Sequence, residues 1–67
     1  MYRFKIEKFH QETNEKFEVT THESEDGRNI GGVQLSDVLH LQLVSLGSVM
    51  FVLHGIRYQV TVEDSHG

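Results

Sequence analysis

Five histidines, His10, His22, His40, His54 and His66, make up the densest set of potential ligands in this chain of 67 residues. Imidazole holds a metal when the spacing brings two rings to one ion, as in His-Glu-x-x-His on a helix or a His pair joined to cysteines. None of the five stands in such a spacing, and the chain has no cysteine. Only His22 with Glu23 and Glu25 makes a local set that reaches toward a divalent cation, so a metal-dependent small domain is kept as an alternative. His54 suits a turn and His66 a polar tail. The expectation is solvated imidazoles, no metal and no cofactor.

The acidic residues Glu23, Glu25 and Asp26 cluster in one stretch, and Glu63-Asp64 form a second pair. The plain reading is a solvated loop and a charged strand end. The functional one is an acidic surface that meets a basic groove on a partner. Nucleophilic chemistry has little to work with. Ser24, Ser36, Ser45, Ser48 and Ser65 lack a Gly-x-Ser-x-Gly elbow, and Ser36 reads as a helix cap. Paired-carboxylate chemistry needs a cleft that excludes water, which so short a chain has little room to build. Gly27 and Gly31-Gly32 form neither a phosphate-binding loop nor a dinucleotide fingerprint. The expectation is a protein that is not an enzyme.

Nucleic acid is the rival ligand class. It would draw on Arg3, Lys5, Lys8, Arg28 and Arg57, with Phe9 as a stacking platform. A net charge of −4 and a pI near 5.6 argue against it, because phosphate binding needs clustered positive charge. No apolar run nears the roughly 20 residues of a membrane span, and MYRFKIEKF alternates charged and apolar residues where a signal peptide would be uniformly apolar. The expectation is a cytoplasmic protein without membrane contact.

The elements that must position these residues follow from periodicity. Ser48 to Glu63 keeps its period-two apolar pattern in register across His54-Gly55, which predicts a hairpin pairing Leu53 with Ile56, Phe51 with Tyr58 and Val49 with Val60. Tyr2, Phe4 and Ile6 alternate with Arg3, Lys5 and Glu7. Phe17, Val19 and Thr21 alternate with Glu18, Thr20 and His22, giving a second hairpin in which Arg3 and Lys5 lie across from Glu18. The apolar residue switches faces at Lys8-Phe9, through a strand end, a bulge, or Phe9 folding over the loop. Glu23 to Asn29 reads as a loop with a turn at Asp26-Gly27, and Gly31-Gly32 marks a bend.

The middle segment has two readings. As a helix, residues 37–46 have Ser36 as N-cap, Asp37 at the positive end of the dipole and Gly47 as the stop, with Leu39, Leu43, Leu46 and Val38 as the apolar stripe. As a strand, Leu39, Leu41 and Leu43 alternate with His40 and Gln42, which would give a small all-β barrel. The caps and the helix propensity of leucine favour the helix. The predicted fold is therefore a single α+β domain over residues 1–67: a β-β-α-β-β chain, with two hairpins in one antiparallel sheet and one covering helix. The tail 64–67 is expected to fray.

A core this small is only just sufficient, and without cysteine it has no disulfide to help it. Burial against another molecule would supply the difference. Two places expose more apolar surface than solubility calls for. Met50 and Val52, beside Arg57, lie on the outer face of the C-terminal hairpin, and Leu41 and Val44 lie off the main helical stripe. With the acidic group Glu23, Glu25 and Asp26, these are the predicted partner-binding residues. The expected function is a small inhibitor, adaptor or regulator that covers a partner protein's surface, with a homodimer as the first assembly to consider. Chains of this size and composition recur among phage and mobile-element products that block host machinery, an analogy of composition alone.

Overall fold

In the computed structural model, which describes residues 2–65, the chain runs β1 (Tyr2–His10), β2 (Lys16–Ser24), β3 (Asn29–Ile30), β4 (Val33–Gln34), α1 (Asp37–Leu46), β5 (Ser48–Leu53) and β6 (Ile56–Ser65). The four long strands form one antiparallel sheet in the order β2-β1-β6-β5, with one helix packed on it. The first and last strands thus lie side by side in the middle, and β2 and β5 are the edges. This is a small α+β domain built from two hairpins, not a barrel.

The C-terminal hairpin has the predicted register, with Val49 opposite Val60, Phe51 opposite Tyr58 and Leu53 opposite Ile56. His54 and Gly55 both take left-handed backbone angles, φ 52° and 75°. That is the two-residue turn whose twist matches the strands it joins. The segment 37–46 is the helix that its caps imply. The Ser36 hydroxyl accepts from the Leu39 amide at 3.3 Å, and Gly47, at φ 85°, returns its N–H to the Leu43 carbonyl.

The core lies between the sheet and the layer made by α1, β3 and β4. Phe4, Ile6, Val49, Tyr58 and Val60 enter it from the sheet, Ile30, Val33 and Leu35 from the connecting segment, and Leu43 from the helix. Full burial of such a side chain is worth about 1.5–3 kcal/mol. Leu43 is the one completely buried residue of α1 and fastens the helix down.

Five local expectations change. In β2 it is Thr20 and His22 that lie opposite Ile6 and Phe4 and so face the helix layer, while exposed Val19 and Thr21 lie opposite Glu7 and Lys5 on the other face. The reason is the registry break between Lys8 and Phe9, where Phe17 is the extra residue of a bulge. Glu18 consequently bonds Lys8 at 2.8 Å, and not Arg3 or Lys5. Gly31-Gly32 is the turn of a further short hairpin, β3-β4, so two short strands precede the helix. On α1, Leu46 and Val38 are 76% and 67% exposed and fall outside the core. Half-buried Leu39 and His40 flank Leu43 instead, and His40 Nδ1 lies 3.2 Å from the Gly27 carbonyl. At the C-terminal end, Asp64 and Ser65 pair with Arg3 and Tyr2, and the rest of the tail predicted to fray, His66 and Gly67, lies outside the described residues.

Candidate functional site

The sheet has one covered face and one open face. Strand alternation puts Arg3, Lys5, Glu7 and Phe9 of β1 on the open face, with Val19 of β2, Arg57 and Gln59 of β6, and Met50 and Val52 of β5. Met50 is 58% and Val52 52% exposed. Arg57, opposite Val52, lays its guanidinium over the Phe9 ring at 4.6 Å from the centroid, and its buried Nε has no hydrogen-bond partner. Glu7 receives Lys16 at 2.7 Å and has Lys5 at 3.8 Å. The Lys16 hydrogen bond, helped by both positive charges, holds its carboxyl below the usual range.

Leu41 and Val44 are exposed as predicted, on the side of α1 turned away from the sheet. The two predicted apolar sets therefore occupy opposite sides of the molecule. Val38, Leu46 and Leu53 are further exposed aliphatic side chains. Val38 and Leu46 were concealed by being counted in the buried stripe. The signal for them was that α1 carries more aliphatic residues than a buried sector of about 100° can take in.

The acidic set does not come together. Glu23 stands in β2, 3.7 Å from Arg3, and Glu25 is exposed in the loop that follows. Asp26 turns back on its own loop. Its Oδ1 accepts from the Arg28 amide at 3.0 Å, the Asn29 amide at 3.3 Å and the Ser24 hydroxyl at 3.0 Å, and these bonds, the Arg28 amide foremost, lower its pKa. The Ser24 oxygen in turn accepts from the Gly27 amide. The loop is thus organised by two side chains, and only part of its charge is left for a partner.

The rival basic set is split: Arg3, Lys5 and Arg57 share the open face with Phe9, whereas Lys8 and Arg28 lie elsewhere. Arg3 faces Glu23, Lys5 faces Glu7, Lys8 faces Glu18 on the helix side, and Arg28 bonds Asp37 at the start of α1. Alternation separates His22, on the helix side, from Glu23 on the open face. Among the described residues, no three His, Asp or Glu side chains are grouped to hold a metal ion. His10 stacks on Phe17 at 4.3 Å, and His54 is exposed in its turn. A depression of about 390 Å³ lies between the two hairpin ends, lined by His10, Gln11, Glu12, Thr13, Glu15 and Gly55. It is open to solvent and polar.

Among the described residues no helix is long and apolar enough to cross a membrane. Comparison with known proteins adds no family: no protein-family model, no curated protein and no solved structure matches this chain.

Proposed function

We propose that this chain is a non-enzymatic protein-binding module, an inhibitor, adaptor or regulator that acts by covering a partner's surface. The observation that carries the reading is how much aliphatic side chain α1 and β5 leave exposed. Leu41, Val44 and Leu46 on the helix and Met50 and Val52 on the open sheet face are all close to or above half exposed in a chain that can ill spare apolar area from its core. Burying such side chains at an interface recovers free energy at roughly 25 cal/mol per Å² of apolar surface, before the costs of association.

The test is affinity capture with cross-linking, comparing the native chain with a Leu41→Lys, Val44→Lys variant. These side chains already face solvent, so circular dichroism should be unchanged. The expected outcome is a stoichiometric protein that the native chain retains and the variant loses. Equal retention by both chains would remove the helix from the binding surface, and retention of no protein by either would count against the reading as a whole.

A further inference from the structure

We infer that β5 is a self-pairing edge, through which two copies of this chain join their sheets antiparallel about a two-fold axis at Met50. The inference rests on the protein-binding reading and deepens it by naming a second copy as the partner at β5.

The two edges of the sheet differ in kind. β2 carries Lys16, Glu18 and Glu23 and is broken by the bulge at Phe17, devices that discourage a further strand from adding. β5 reads Ser-Val-Met-Phe-Val-Leu, with no charge, no proline and no break in its register with β6. An edge of that composition is a template for another strand.

The direction in which its peptide groups point can be fixed. The Val62 amide donates to the Gly47 carbonyl, and the two-residue turn makes Leu53 and Ile56 the bonded pair that closes the hairpin. By alternation, Val49, Phe51 and Leu53 bond to β6, and the N–H and C=O groups of Ser48, Met50 and Val52 point away from it. None of those three residues finds a backbone partner elsewhere among the described residues. A dyad perpendicular to the sheet at Met50 sets Met50 against the second copy's Met50 and Ser48 against its Val52, so every outward group is used. The same axis keeps faces matched. Met50 and Val52 of both copies share the open face, and the two α1 helices, each packed on its own β5, share the other.

Charge and area both bear on the choice of a second copy. Each chain carries −4, so copies repel at a distance, but at β5 they meet over a strand without charge. Dimerisation should therefore strengthen as salt is added, the reverse of phosphate binding. A standard interface buries about 800 Å² per partner. That is less than a fifth of the 4478 Å² this chain exposes, yet more than one short strand edge supplies, so the flanking aliphatic residues must be included.

Sedimentation velocity over a concentration series, with amide hydrogen exchange read by NMR, tests the inference. The expected result is a reversible dimer that tightens with salt, in which the Met50 and Val52 amides become protected as the dimer fills. Met50→Pro deletes an outward donor while sparing the β6 ladder, and should yield a folded monomer; Met50→Lys should do the same through charge. A monomer at every concentration overturns the inference, and so does a dimer whose Met50 and Val52 amides exchange freely, because the copies then meet elsewhere. Protection that arises only when a different protein is added also overturns it. Each of these results leaves the capture of another protein by the helix face to its own experiment, so the two readings fail separately.

Discussion

Gly31 shows how closely one residue is specified. It sits at φ 58°, and a Cβ built there would lie 2.6 Å from His22 Nε2, with the ring held by Thr20 Oγ1 at 2.9 Å. Gly31→Ala must therefore accept left-handed strain and push the imidazole off Thr20. Gly32, its neighbour at φ 83°, has nothing within 4 Å of the same atom. We expect Gly32→Ala to cost about 1–2 kcal/mol from backbone strain alone, and Gly31→Ala to cost more, as measured by urea denaturation. The excess should shrink in a His22→Ala background, which isolates the ring contact. This arrangement was not legible in the sequence. His22 lies on the polar side of the β2 alternation, and only the bulge at Phe17 turns that side toward β3-β4.

At the scale of elements, what could be read was whatever two independent signals agreed upon. The β5-β6 register followed from both a burial pattern and a turn, and α1 followed from caps at both ends as well as leucine content. β2 had alternation alone. An inserted residue at a bulge breaks that argument, because a period of two carries no memory of which face is inward. The candidate surface was half legible for a related reason: Leu41 and Val44 were seen as surplus to the stripe, but which members of the stripe are surplus depends on where Leu43 meets the sheet. The N-cap supplies a prediction for the helix itself. Ser36→Ala should lower stability by about 1 kcal/mol, with thermal unfolding still a single transition. Should stability be unchanged, the Leu39 amide is satisfied by water and the cap is incidental.

For the whole molecule, the ion pairs define a pH window. Glu7 has its pKa lowered first by the Lys16 hydrogen bond, Asp37 by that from Arg28, and Asp26 by its loop amides. A depressed carboxyl contributes stability that is complete above its unfolded value, near pH 4, and is lost as pH falls through the folded value. Lys8 is raised by its hydrogen bond to Glu18, so its contribution holds below about pH 10.4 and disappears as pH climbs through the folded value. Stability should thus be level between those limits with respect to these four groups. In acid, Glu7→Gln should flatten the decline, measured by urea midpoints at a series of pH values; an unchanged slope would show that Lys16 and Glu7 are solvent-separated in solution.

The peptide unit at Gly47 links these scales. Its N–H closes the last turn of α1 on Leu43, and its carbonyl takes the Val62 amide at the start of the β5-β6 ladder. Helix end and sheet corner are consequently one hydrogen-bonded joint. Disrupting this one peptide unit therefore removes the last bond of the helix and the first of the ladder together.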